Sequence, residues 1–579
     1  MNSHDVHSYG NPAEFRVKHV SLDLEVVFDD HTLRGTAILT VERVSPDAQR
    51  IVLDSRALSI GEIEVSSDGT HYREALYDMG QSDSILGTPL NIEILPDTKF
   101  VRVRYETSPG GATALQWLAP EQTEGKQHPF LYTQGEAIHT RSWIPLQDSP
   151  GVRVTWDARV KTPRGMRAVM SAVLSGGDFR MEHPVPPYLI ALAVGDLQFK
   201  ATGPRTGVWA EPAILEKAAA EFSDTEKMLE AAEKLYGPYR WGRYDLLVLP
   251  PSFPFGGMEN PCLTFVTPTV IAGDKSLVSL IAHELAHSWS GNLVTNATWS
   301  DFWLNEGYTV YFERRILEEI YGRRRAEMEA VLGYQDLVEE LKSHPPADQI
   351  LAIDLEGRDP DDGMTEIPYE KGALFITALE YAVGRERLDA YLQQYFNRFA
   401  FTSITTQQSL DYLQHHLSGP EVVNVQNWVY EPGLPADAPV PRSEAFLALE
   451  AFKDAATPVD TANWSTHEWL RFLRGLPEKL DADRMSALDT AFHLTASTNN
   501  EILAQWLLMA VKNHYNSASD RLEEFLTTVG RRKYVKPLYS AMEAEQAKAI
   551  YQKARPLYHP ITQASIDQVI VSLKGESNK

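Results

Sequence analysis

Residues 277–292 read LVSLIAHELAHSWSGN. Leu277, Leu280, Ile281, Leu285 and Ser288 recur at spacings of three and four, which predicts one helix over the whole stretch with Gly291 as its C-cap. On such a helix His283 and His287 stand one turn apart on a single face. Two imidazoles in that register can ligate one Zn²⁺ at about 2.0–2.1 Å. Glu284 is rotated from His283 by about 100°. It can reach a water beside the metal without ligating the metal, where a general base belongs. An isolated HExxH also arises by chance in long chains, so the flanking sequence has to support it.

Support lies downstream. SDFWLNEGYTVYF (300–312) begins at Ser300, a good N-cap residue, and predicts a second helix. Glu306 follows His287 by 19 positions, and two antiparallel helices would bring its carboxylate to the same metal. Two histidines and a glutamate leave a fourth position for water, the donor set of a catalytic zinc site. Glu313 projects from the same face as Glu306. It either orients a ligand imidazole or is a solvated glutamate.

FGGMENP (255–261) precedes the helix. Gly256 and Gly257 let a ligand approach the backbone closely, and an adjacent extended segment can pair with a peptide. Past Met258, Glu259 offers a carboxylate to a free α-ammonium. That pairing would register a substrate so that only its first peptide bond reaches the metal. The alternative for this stretch is an ordinary turn.

Composition narrows the class. The 579 residues carry 54 basic against 79 acidic side chains, a net charge of −25. A surface that acidic argues against nucleic acid and against anionic membranes as partners. The single cysteine, Cys262, allows no intrachain disulfide and is read as structural. MNSHDVHSYGNPAEF at the start lacks a basic segment followed by an apolar run, so no secretory signal is expected. YLIALAV (188–194) is too short to span a bilayer. A soluble cytoplasmic protein is expected, with a monomer favoured.

The chain reads as multidomain α+β. HVSLDLEVVF (19–28) and FVRVRYE (100–106) alternate as half-buried strands do, and ARVKTP (158–163) ends a strand at a proline. Residues 1–198 are expected to form an N-terminal antiparallel β domain, and 199–430 a mixed α/β catalytic domain. ILEKAAAEFSDTEKMLEAAEKLYG (214–237) has helical spacing ending at Gly237, and YDLLVLPP (244–251) is a short strand. The proline-rich stretch 431–444 reads as a linker, and 445–579 as a C-terminal domain of stacked helices.

HELAH, Glu306 in WLNEG and GGMEN together resemble the M1 zinc aminopeptidases, in the leukotriene A(4) hydrolase and aminopeptidase B branch. The likeness runs over nearly the whole chain and implies a thermolysin-like catalytic domain holding one Zn²⁺. It also implies roles for residues that spacing alone does not single out. QGEA (134–137) resembles the stretch at the amine end of the site, so Gln134 and Glu136 would join Glu259 there. The branch usually has Gln at the Glu136 position. PYEKG (368–372) matches the tyrosine motif, which makes Tyr369 the donor to the oxyanion. Asp361 matches an aspartate near the pocket. GRRKY (530–534) resembles the segment that receives a peptide's terminal carboxylate through Arg531 and Lys533. The leukotriene hydrolases carry a second tyrosine five residues before the Tyr369 position; here it is Met364.

The expected function is removal of N-terminal residues from short peptides. Three alternatives stand beside it. Additional lipid-epoxide hydrolysis is weakened by Met364. A non-catalytic peptide-binding scaffold is weakened by the intact base. An endopeptidase is the third.

Overall fold

A computed structural model describes residues 5–419, 423–449 and 461–577. The first four residues of the N-terminal segment and residues 450–460 of the expected helical domain lie outside the described residues.

Alternation organises the N-terminal part. In the strand Phe15–Val27 the side chains of Val20, Leu22, Leu24 and Val26 are buried, while the intervening ones reach outward. This strand sits inside an eight-stranded sheet, antiparallel to Thr32–Arg43 and parallel to Val154–Lys161. The expectation of a purely antiparallel sheet is corrected by that one parallel pairing. The chain leaves the large sheet after Phe100–Thr107, contributes to a separate four-stranded sheet, and re-enters beside its first strand in the same direction.

The middle of the chain builds a five-stranded sheet in the order Gln198–Ala201, Thr206–Ala210, Tyr244–Val248, Leu263–Val266, Gly257–Met258. Gly257–Met258 is its edge strand, antiparallel to Leu263–Val266. Residues 214–237 form two helices, Pro212–Glu221 and Thr225–Tyr236, and Gly237 ends the second at φ 96°.

Two helix boundaries differ from expectation. The α-helix of the HELAH stretch covers only Ser279–Ala286, with His287 as its C-cap residue. His287 keeps right-handed angles (φ −57°, ψ −20°), so its one-turn offset from His283 survives. The helix stops because the chain turns back there: His287 Nδ1 donates to the Ser290 carbonyl at 2.8 Å, and the Asn292 N–H donates to the His287 carbonyl at 2.9 Å. Gly291 lies beyond the helix at φ 123°, where a Cβ would stand 2.8 Å from His287 Nδ1. Ser300 is not an N-cap. Thr298 caps a 3₁₀ turn, Trp299–Asp301, through the Asp301 carboxylate at 2.8 Å, and the helix Trp303–Tyr321 follows.

Residues 431–443 contain no helix or strand, but Lys371 Nζ holds the Glu431 carbonyl at 2.8 Å and Leu434 packs on the core. The C-terminal helices bury their own core around Phe472, Trp506, Leu507 and Leu526. The loop before their helix Arg532–Ala541 is pinned to the catalytic part. The Gly530 N–H donates to the Pro251 carbonyl at 2.9 Å, and the Arg532 N–H to the Pro254 carbonyl at 2.8 Å.

Candidate active site

His283 Nε2, His287 Nε2 and one oxygen of Glu306 converge. The nitrogens stand 3.2 Å apart, and Glu306 Oε2 lies 3.3 Å from the first and 3.4 Å from the second. Donors placed about 2.0–2.1 Å from a tetrahedral zinc ion are separated by about 3.3–3.4 Å, so the three fit one Zn²⁺. Burial opposes charge on Glu306, yet the two imidazoles hold its carboxyl at about 2. The far nitrogens are also fixed. His283 Nδ1 donates to Glu313 Oε2 at 3.1 Å, and the Thr309 hydroxyl donates to the Ser290 carbonyl that His287 Nδ1 meets.

Glu284, buried on the adjoining face, reaches toward the edge strand. A Cβ on Gly257 would collide with its carboxyl group, so only glycine lets that backbone lie against it. Burial, above all, pushes Glu284 up to about 8, which suits a group that takes up and returns a proton near neutrality. Ligand atoms of Glu259, Glu284 and His287 all lie within 4.8 Å of one another.

Glu259 is buried and held at both its side chain and its backbone. Tyr188 donates its hydroxyl to Glu259 Oε1 at 3.3 Å, Asn305 Nδ2 donates to the Tyr188 oxygen at 3.3 Å, and Asn292 Nδ2 donates to the Glu259 carbonyl at 2.7 Å. Burial, then the charge of Glu259, holds Glu136 well above the ordinary carboxyl range, and Glu136 Oε1 has no partner. Such a pair of carboxylates accepts a cation readily. Gln134 is placed one layer back, donating to Met258 Sδ at 3.1 Å. Asp361 is also set back, 3.8 Å from His139 Nε2.

Tyr369 sits in a single π-helical turn, Ile367–Lys371, a geometry found often at functional sites. Its ring is stacked near that of His283, with centroids 6.0 Å apart. Burial, followed by the charges of Glu306 and Glu136, pushes the phenol well above its ordinary value, so it keeps its proton at neutral pH and can donate. A cavity of about 790 Å³ is lined by Glu136, Glu259, Glu284, His283, His287, Glu306, Met364, Tyr369, Arg531 and Lys533. Gly256 makes room for Arg531, whose Nη2 would lie 2.8 Å from a Cβ at that position. Both cations share Glu501: Lys533 Nζ at 3.1 Å and Arg531 Nη1 at 3.6 Å.

Sequence reasoning missed Tyr188, Asn292, Asn305 and Glu501. Tyr188 lay inside an apolar run, and its polar tip carried the signal: a buried tyrosine hydroxyl needs a partner. Asn292 and Asn305 each lie within or beside a motif already singled out. Glu501 had no local signal.

Three family models match in order: the Peptidase M1 N-terminal domain over residues 16–184, the Peptidase family M1 domain over 220–429, and Leukotriene A4 hydrolase, C-terminal, over 464–570. Leucine aminopeptidase 2 of Yarrowia lipolytica is 38% identical, covering 96% of this chain and 92% of its own length. Leukotriene A-4 hydrolase of Xenopus laevis is 36% identical, covering 96% of this chain and 98% of its own. Among solved structures, yeast LTA4 hydrolase in complex with bestatin matches with a TM-score of 0.90 at 32% identity, over 98% of this chain and 97% of that one. The chain belongs to peptidase family M1, the zinc aminopeptidases that its motifs resemble. Its three parts are a β-rich N-terminal domain, a central catalytic domain and a helical C-terminal domain of the leukotriene A4 hydrolase type.

Proposed function

We propose that the chain removes the first residue from short peptides, with His283, His287 and Glu306 holding one Zn²⁺. Bound there, zinc would supply a Lewis acid that lowers the pKa of a water and polarises the scissile carbonyl. Glu284 takes the proton of the attacking water and returns it to the leaving amine. Tyr369 donates its phenolic O–H to the developing oxyanion. Glu259 and Glu136 receive the α-ammonium, with Gln134 and Met258 behind them and Gly256–Gly257 offering backbone to the peptide. Arg531 and Lys533 receive the terminal carboxylate, and Asp361 borders the pocket for the first side chain.

One observation carries this reading: Glu259, Glu284 and His287 lie within 4.8 Å of one another. In an amino acid the α-nitrogen and the carbonyl carbon are about 2.5 Å apart. An amine held by Glu259 therefore presents the first carbonyl, and no later one, to Glu284 and the metal donors. Met364 lines the same cavity with a thioether and supplies no hydroxyl, which favours peptides over lipid epoxides.

Replacing Glu284 with Gln tests the mechanism. Turnover should fall by about 10²–10⁴-fold while one zinc per chain is retained. Full activity in that variant would overturn the role of Glu284. No helix among the described residues is long and apolar enough to cross a membrane. A cytoplasmic, monomeric enzyme acting on peptides rather than nucleic acid completes the proposal, supported by the acidic surface and the buried free Cys262.

A further inference from the structure

We propose that Glu366 is a specificity-determining residue that pairs with a lysine or arginine side chain in the leaving part of a peptide substrate. The inference rests on the aminopeptidase reading of the same cleft.

Glu366 is the N-cap residue of the turn that carries Tyr369, and its side chain opens into the cavity. Three of the charged groups near it already have partners. Glu370 is tied to Arg314 at 2.6 and 2.7 Å, Asp336 to Arg474 at 2.8 Å, and Lys533 to Glu501 at 3.1 Å. Among the described residues the Glu366 side chain makes no hydrogen bond or ion pair. The side chain is exposed to the cleft; partial loss of solvent to the cavity walls, then the charge of Asp336, raises its carboxyl to about 7, against the pull of Lys533. A carboxyl in that setting gains from a cation brought by a ligand.

Substrate register says which cation. With the amine at Glu259, the first carbonyl at Tyr369 and the terminal carboxylate at Arg531 and Lys533, the residues after the scissile bond pass between Tyr369 and Lys533. Glu366 lines the same cavity as Tyr369 and Lys533. A basic second or third residue would meet it.

The test compares kcat/KM for Leu-Lys-Ala and Leu-Ala-Lys with their glutamine counterparts, on zinc-loaded wild type, Glu366→Gln and Glu366→Lys. In the wild type at least one lysine peptide should be preferred by about tenfold, the worth of one charge-assisted hydrogen bond. The lysine-to-glutamine ratio should approach one in Glu366→Gln and fall below one in Glu366→Lys. A ratio near one in the wild type, or an unchanged ratio in both variants, overturns the inference. If the wild type cleaves none of the four peptides, the aminopeptidase reading fails and this inference with it. If it cleaves all four without discrimination, only this inference fails.

Discussion

Gly307 and Gly372 meet backbone to backbone: a Cβ built on Gly307 would lie 2.7 Å from the Gly372 Cα. Gly307 follows Glu306, and Gly372 directly follows the turn that carries Tyr369. Their contact limits how closely the segments carrying Glu306 and Tyr369 approach each other. Gly307→Ala should overpack this crossing and cost about 1–3 kcal/mol of stability. It should also lower turnover by moving Glu306 against Tyr369. Thermal unfolding and peptidase assays check both; a variant as stable and as active as wild type would mean the two backbones can part freely.

Glu313 touches His283 from behind the proposed metal. Removing it in Glu313→Ala leaves the Nδ1–H without its carboxylate. Zinc affinity, measured by competition with a chelator, should weaken by about 10–100-fold. Unchanged affinity would leave Glu313 a bystander.

Arg531 should act on the substrate's far end. Arg531→Ala is expected to raise KM for tripeptides with a free carboxylate by about tenfold, the loss of one charge-assisted contact. The same peptides with an amidated C-terminus should lose much less. An equal effect on both forms would argue that Arg531 serves only the packing against Glu501 and Tyr534.

Acid should loosen that packing. Burial raises the Glu501 carboxyl, but Lys533, Arg531 and the Tyr534 hydroxyl outweigh it and hold it at about 2, below its ordinary 4.5. The depressed value means the charged form stabilises the fold above about pH 4.5, and that contribution is lost as pH falls from there toward 2. The denaturant midpoint of wild type should exceed that of Glu501→Gln at pH 7, and the gap should shrink below pH 4.5. A gap that stays constant down to pH 3 would show that the charge is not its source.

Much of this centre is legible in the chain because helical register turns spacing into geometry. His283 and His287 four positions apart must share a face, and Glu306 had only to arrive on an antiparallel neighbour. Helix ends were harder. Apolar periodicity runs on to Ser288, whereas the helix stops at Ala286 because the His287 ring bonds a carbonyl three residues ahead. Ser300 looked like a cap, yet the Thr298–Asp301 pair made the competing box. Contacts made by tertiary folding left no local trace: Glu501 reaches Arg531 from 30 positions away, and Tyr188 reaches Glu259 from 71 positions away. Glu366 becomes conspicuous only when its neighbours' partners are known, and those come from several separate elements.

The most direct test of the central claim is one peptide assayed with its amine free and with its amine acetylated. Leu-Ala-Ala should be cleaved after leucine, and N-acetyl-Leu-Ala-Ala should lose at least about a hundredfold in kcat/KM, because an amide cannot pair with the buried Glu259 and Glu136. Equal cleavage of the two forms would contradict the account, since those carboxylates would then not be counting the substrate from its first residue.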